Sequence, residues 1–359
     1  MSKQVEVAIL QEFTVNILNK LGVSLEDAEI TSDVLISADM RGIGSHGVAR
    51  LKRYVDGINS GMILPSSDFE IIKETPVSLV IDGKGGLGQP IAHKVMKMCI
   101  KKAKENYMCF ASVRNSNHYG IAGYYTKLAL DEDLIGISST NSAPLVVPTN
   151  AKDAIIGTNP ISVGVPAEKE KPFLLDMATS TVPRGTLEVY ARDNKEMPPV
   201  WATDESGVPT KNAQDVLDNV LNRSGGGLLP LGGAEELTGG HKGYGLSAIV
   251  DIFSGVLSSG AVGSDLYKDK NASSGVCHFL SAINPDAFAG INEIKHNLDR
   301  YMKMLKSAKI VGGKGRIYVA GEKEYELEKE NRSIVSIQNK VFETLNEMGK
   351  IYNLKLDYL

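Results

Sequence analysis

The stretch Arg41 to Tyr54, RGIGSHGVARLKRY, concentrates the residue types that acid–base and carboxylate chemistry require. His46, Arg50 and Tyr54 follow one another four residues apart, so at about 100° per residue they share one side of a helix. Ser45 is a good N-cap residue, and Val48, Leu51, Val55 and Ile58 recur close to helical spacing, which predicts a helix starting near Ser45. A helix N-terminus favours anions, an arginine clamps a carboxylate in bidentate fashion, and a histidine moves a proton near neutral pH. Together they suit a small acid with a carbonyl or hydroxyl beside its carboxylate. Taken alone, the stretch fits better an amphipathic helix with a solvated basic face.

The rest of the chain narrows the field. Its 359 residues, 42% hydrophobic and 23% charged, describe a globular protein of one large domain or two to three smaller ones. A net charge of −4 gives no basis for nucleic-acid binding. Cys99, Cys109 and Cys277 are odd in number, widely spaced and without a CxxC, which points to a reducing compartment and no disulfide framework. No secretion leader is read at the N-terminus. The apolar stretch Leu246–Val262 is broken by Asp251 and rich in Gly and Ser, so a buried helix is expected rather than a membrane span. The six histidines show no HExxH pairing. The expectation is a cytoplasmic, metal-free protein with no membrane or nucleic-acid partner.

The elements that must position the opening motif follow from periodicity. Residues 4–20 read as an amphipathic helix; Ser24 caps a second one running to about Met40. From Val77 the pattern becomes strand (77–82), glycine turn, helix (90–106) and strand (108–114). Gly83, Gly85 and Gly88 formally match a dinucleotide fingerprint, although Glu105 lies at the helix end rather than after the second strand. Short β-like runs at 135–139, 145–147, 154–156, 162–165 and 173–175 are separated by gaps too short for crossover helices, so a mixed, largely antiparallel sheet is expected. Residues 203–240 read as irregular, 242–258 as a buried helix, 317–320 as a strand and 332–348 as a closing amphipathic helix.

Five stretches taken together are more specific: ADMRGIGSHGVARLKRY (38–54), VRNSNHYGIAGYY (113–125), STNSAPLVVPTNAKDAIIGTNPISVGVP (139–166), LLDMATS (174–180) and GGHKGYGLSAIVD (239–251). In this order they closely resemble the type-2 malate/L-lactate dehydrogenase family, which also holds ureidoglycolate, sulfolactate and cyclic-imino-acid oxidoreductases. The resemblance runs almost end to end. It implies an α/β (α+β-like), non-Rossmann nicotinamide-binding fold and a homodimer. It makes the glycine run at 83–88 structural. The implied division is a helical domain of residues 1–75 with 322–359, carrying the SHG motif, and a central region of 76–321 for coenzyme binding and dimerisation.

Carried over residue by residue, the resemblance assigns proton transfer to Ser45, His46 and His118, and the substrate carboxylate to Arg50, with Tyr54, Thr158 and Arg184 as further substrate contacts. It assigns the coenzyme to His118, Tyr119, Gly120, Ile121, Ala122, Ser142, Asp176, Met177, Ala178, His241, Lys242, Gly321 and Glu322. The implied reaction is hydride transfer between NAD, or NADP, and a small 2-oxo or 2-hydroxy acid. Malate/oxaloacetate leads on the closest-looking members and the spare cations Arg53 and Arg184; lactate, ureidoglycolate or sulfolactate are the alternatives. Three departures stand out: Thr186 follows Arg184-Gly185 where one activity uses Asp, Ala320 replaces the proline of a PGE, and TKNA (210–213) replaces a threonine-rich segment. Ser-His hydrolysis is disfavoured because no G-x-S-x-G elbow is present.

Overall fold

The computed structural model describes residues 2–268 and 273–359. The chain opens with β1 (Ser2–Glu6), α1 (Val7–Lys20) and α2 (Leu25–Met40). Ser24 caps α2 as its spacing predicts, its hydroxyl accepting from Asp27 N–H, with Glu26 and Asp27 in the first turn beside the positive end of the helix dipole. The helix expected from Ser45 starts later. A turn and a 3₁₀ segment (Val48–Arg50) intervene before α3 (Leu51–Asn59), so His46 precedes the helix instead of lying on its face.

A sheet-forming region follows: β2 (Glu70–Thr75), β3 (Ser78–Asp82), α4 (Gly88–Asn106), β4 (Met108–Ser116), α5 (Ala122–Leu130), β5 (Ile135–Thr140), β6 (Ile161–Val165) and β7 (Phe173–Met177). A small lobe holds α6 (Arg184–Arg192), β8 (Ala202–Thr203), α7 (Ala213–Asn222) and β9 (Gly227–Leu228). Then come α8 (Gly240–Asp251), running into a π turn (Ile252–Val256), β10 (Val276–Ile283), α9 (Ile291–Lys306), α10 (Glu322–Glu330), β11 (Ile334–Gln338) and α11 (Asn339–Tyr352).

Seven strands form one sheet in the order β2-β3-β4-β10-β5-β6-β7, in which only β3 and β4 pair in parallel. This is the mixed, largely antiparallel, non-Rossmann sheet expected from the short gaps. Helices α4 and α5 cover one face, and Val34 and Ala38 of α2 join their core. The π turn covers the other near β4 and β10, where Ser112 Oγ donates to Phe253 O (2.8 Å) and Phe253 packs on Phe279.

The two chain ends close on each other. β1 and β11 pair antiparallel, and one core combines Val5, Leu10, Ile17 and Leu35 with Val335, Phe342 and Leu345. Each fully buried aliphatic side chain there contributes about 1.5–3 kcal/mol before chain entropy is charged against it. Arg41, buried at the end of α2, pairs with Glu328 (2.7 Å) and lies over the Tyr325 ring, which ties α10 to the root of the turn carrying Ser45 and His46.

Several expected elements are redrawn. The 332–348 helix begins as β11, whose burial alternates with period two, and becomes helical only at Asn339. The 317–320 strand is a loop that meets β7 by one bond, Leu174 N–H to Ala320 O (3.1 Å). Runs 145–147 and 154–156 meet only at a Val146–Ile156 bridge. The stretch 203–240, expected to be irregular, contains α7.

Candidate active site

The turn carrying Ser45 and His46 is fixed from below by Asp39. The Asp39 carboxylate accepts from Val48 N–H (2.8 Å), and a Cβ on Gly47 would lie 2.0 Å from Asp39 Oδ1, so only glycine fits there. Because these residues are in a turn, neighbouring side chains can meet: Ser45 Oγ is 2.9 Å from His46 Nδ1. Arg50 Nε donates to Ser45 O (2.6 Å), leaving the two terminal Nη groups for a carboxylate.

His118 arrives from the other side, just after β4. The glycine turn that resembled a phosphate loop is what holds it. β3, α4 and the parallel β4 do form a βαβ unit, but Asn117 Nδ2 donates to both Gly85 O and Gly86 O (2.9 Å each). A Cβ on Gly88 would strike Asn117 O at 2.1 Å and His118 O at 2.7 Å. Protein backbone fills the space a pyrophosphate would need, so the turn is structural.

The two histidines face each other with ring centroids 5.6 Å apart and planes 25° from parallel. Burial, with Arg50 and Arg53 close by, pushes His46 down to about 4. Burial and then Arg53, His46 and Arg50 hold His118 well below the ordinary imidazole range. Both rings are therefore neutral at physiological pH. His118 Nδ1 lies 2.7 Å from Tyr54 Oη and 3.3 Å from Gly120 N. Since the amide can only donate, Nδ1 is an acceptor, and the His118 proton resides on Nε2.

The other expected residues divide. Tyr54 is fully buried with its hydroxyl directed at His118, so it meets the imidazole rather than open space. Thr158 and Ser142 are joined, Thr158 N–H donating to Ser142 Oγ (3.0 Å). Arg184 is half-exposed and paired with Glu188 (3.0 Å), but its neighbour Gly185 abuts Ser45, bringing the start of α6 to the turn carrying Ser45 and His46. Tyr119 is buried in a parallel stack on His278 at 4.5 Å, which braces the 118–122 loop.

Asp176 lies in a cleft with Arg41, Ile43, Ala320 and Gly321, at the end of β7 with Met177, ahead of Ala178. Gly123 N–H donates to Asp176 Oδ2 (2.7 Å), while burial pushes the carboxyl up to about 6. Glu322 accepts from Val319 N–H (2.9 Å) and pairs with Lys306 (2.8 Å), contacts that shape the loop. His241 and Lys242 sit exposed at the start of α8. Further along that helix, Ser247 and Asp251 hold Asn159, next to Thr158.

Sequence reasoning passed over Asp39 and Tyr267. Tyr267 hydrogen-bonds and stacks with Arg53. Asp39 was visible as the acid preceding the turn; Tyr267 had no local signal.

The comparisons with known proteins now bear on this geometry. The malate/L-lactate dehydrogenase family model matches residues 5–346. The chain belongs to that family. It is 47% identical to a malate dehydrogenase of Pyrococcus abyssi, over 96% of this chain and 94% of that one. It is 37% identical to a malate/(S)-sulfolactate dehydrogenase of Methanothermus fervidus, covering 96% of each. The crystal structure of malate dehydrogenase from Entamoeba histolytica superimposes with a TM-score of 0.95 at 38% identity, covering 99% of both chains. The chain is accordingly an oxidoreductase of the hydroxyacid dehydrogenase type. No described helix is long and apolar enough to cross a membrane, and among the described residues no cluster of three or more His, Cys, Asp or Glu could hold a metal.

Proposed function

We propose that this enzyme interconverts malate and oxaloacetate, with NAD as its coenzyme and NADP as the second candidate. The observation that carries the substrate reading is the pair Arg50 and Arg53 beside two facing histidines, His46 and His118, whose titration both arginines depress. Two cations at one acid–base pair suit a substrate with two carboxylates better than one with a single carboxylate. Arg184, the other cation considered for that role, is already paired with Glu188.

The residues fit a nicotinamide coenzyme. Asp176 Oδ2 is committed to Gly123, and among the described residues Oδ1 carries no donor, which suits a ribose hydroxyl. The cleft around Asp176 reaches Ile43, beside the catalytic turn, and the 118–122 loop leads from it to His118. Tyr119, Gly120, Ile121, Ala122, Met177, Ala178 and Gly321 would line the coenzyme, with Ser142, His241 and Lys242 approaching from α8 and its neighbouring loop. The nicotinamide, when bound, supplies or accepts the hydride.

The chain supplies the rest. The Arg50 Nη groups hold the carboxylate next to the reacting carbon, and Arg53 attracts the distal one. His118, neutral with its proton on Nε2, donates a hydrogen bond to the substrate oxygen and stabilises the charge that grows there during reduction. His46 moves the proton, with Ser45 orienting its ring through Nδ1. The substrate carboxylates offset Arg50 and Arg53 on binding, which lifts His46 toward the range where it can carry that proton.

We further propose a cytoplasmic homodimer whose subunits join through the apolar face of α8 and its π turn, where Ile249, Ile252, Phe253, Val256 and Leu257 are exposed. The domain division at 1–75 with 322–359 against 76–321 is supported by the shared core of the two chain ends. The deciding experiment compares oxidation of NADH and NADPH with oxaloacetate, pyruvate and a sulfonated 2-oxo acid. Oxaloacetate is expected to give the highest kcat/KM; a clear preference for either of the others sinks the malate reading.

A further inference from the structure

We propose that Tyr267 and Arg53 together form the subsite for the second anionic group of the substrate, which makes Tyr267 a specificity-determining residue. The inference deepens the proposed reaction and rests on the reading of Arg53 as the cation that meets that distal group.

Arg53 lies on α3, one residue before Tyr54, whose hydroxyl is 2.7 Å from His118 Nδ1. An exposed arginine on a helix ordinarily sweeps through solvent, because fixing its long side chain costs rotamer entropy. Here Nη2 donates to Tyr267 Oη, and the guanidinium lies 5.8 Å from the centre of the Tyr267 ring. The acceptor is neutral, so the contact places the cation without cancelling it. Lys52, the preceding residue, is paired with Asp56 (2.7 Å), whereas among the described residues Arg53 meets no carboxylate. Its charge is felt at both His46 and His118, whose titration it depresses.

Tyr267 is itself fastened to the site. It occupies the left-handed region at φ 54°, a conformation a bulky residue takes only where its surroundings impose it. Leu266 beside it is fully buried, and Tyr267 N–H donates to Ser274 O (3.2 Å). Ser274 Oγ in turn donates to Asn117 Oδ1 (2.8 Å), and Asn117 directly precedes His118. The loop that bears Tyr267 is therefore anchored where β4 delivers His118, while its hydroxyl reaches across to α3.

The direction of the Arg53–Tyr267 bond sets the chemistry. A phenol oxygen that accepts from a guanidinium still has its own O–H to give. Arg53 and Tyr267 thus offer a charged and a neutral donor to one anion, at the far end of a substrate whose first carboxylate Arg50 holds. A carboxylate and a sulfonate both suit such a subsite; a 2-oxo acid without a second anion leaves it unused.

The test compares oxaloacetate, 3-sulfopyruvate and pyruvate as substrates of the wild type and of Tyr267→Phe, which loses the hydroxyl and keeps the ring. For whichever of the two dianionic acids the wild type prefers, kcat/KM is expected to fall about tenfold, mainly through KM, and for pyruvate by less than twofold. In an Arg53→Gln background the same change should cost less than about threefold, since the two residues serve one group. Equal losses for all three acids, or none for any, overturn the proposal. A wild type that prefers 3-sulfopyruvate sinks the malate reading while Tyr267→Phe still decides the subsite; a wild type that prefers pyruvate overturns both. A second readout needs no turnover: calorimetric binding of succinate and butyrate to the NADH-saturated enzyme. Succinate should bind more tightly to the wild type, and Tyr267→Phe should narrow the difference; succinate bound no better than butyrate by the wild type contradicts the subsite.

Discussion

Asp39 and Gly47 are in direct contact beneath the turn carrying Ser45 and His46, so close that the carboxylate occupies the space any side chain at position 47 would need. Ser45 and His46 are thus held by a carboxylate from the end of α2, and not by a helix of their own. Gly47→Ala is expected to push the turn outward by about an ångström, a misplacement that costs on the order of 100-fold in kcat/KM. NADH binding should change far less, since the coenzyme site proposed around Asp176 lies away from this turn.

Asp39 also predicts a stability slope. Burial pushes its carboxyl up to about 7, against the lowering effect of the Val48 N–H, whereas the unfolded chain releases the proton near 3.8. Between those values the folded state holds a proton that the unfolded state does not, so this group's contribution falls as pH rises toward 7. Asp39→Asn, which cannot ionise, should lose less melting temperature than the wild type between pH 5 and 7. A parallel decline in both proteins would show that another group is responsible.

The pH dependence of catalysis should be displaced in the opposite direction. His46 is pushed down to about 4 in the free enzyme, so it remains a neutral base well into the acid range. For malate oxidation, kcat/KM is expected to stay flat down to about pH 5 and to fall below it, rather than near the unperturbed imidazole value of about 6.5. Arg53→Gln removes one repelling charge, worth about 1 kcal/mol, and should move the acid limb up by about 0.7 unit. A limb already at 6.5 in the wild type would assign the base elsewhere.

Arg50 presents only its terminal nitrogens, because Nε is bonded to Ser45 O. Arg50→Lys preserves the charge but loses the fork, at a cost of about 1.5–3 kcal/mol, roughly 10- to 150-fold in kcat/KM for oxaloacetate. It should also loosen the turn, visible as a changed His46 titration by NMR.

The exposed apolar face on α8 and its π turn bears on assembly. Ile249→Asp or Leu257→Asp should convert the dimer to monomer by light scattering, since a buried unpaired carboxylate is strongly disfavoured at an interface. A mass equal to one chain in the wild type would remove the dimer reading.

Much of this arrangement was legible from local pattern. The Ser24 cap is a local signal, and short gaps between the β-like runs correctly counted against a doubly wound sheet, whereas the helix expected to carry His46 begins only after it. What escaped is what the fold decides at long range. β10 is buried along nearly its whole length yet contains His278 and Ser281, whose polarity hides the strand until Ser116 and Thr140 are seen to satisfy the histidine. β11 alternates with period two but runs without a break into α11, so helical spacing masked it. The glycine run at 83–88 matched a nucleotide motif in spacing; only the backbone of Asn117 and His118, brought in by β4, shows what fills it.

The most direct test of the account is steady-state oxaloacetate reduction by the wild type, His46→Ala and His118→Ala, with NADH binding measured in parallel. Loss of at least about 100-fold in kcat from one or both changes, with coenzyme binding retained, is the expected result. Turnover within about tenfold of the wild type in both variants would contradict it and place the acid–base chemistry outside the histidine pair.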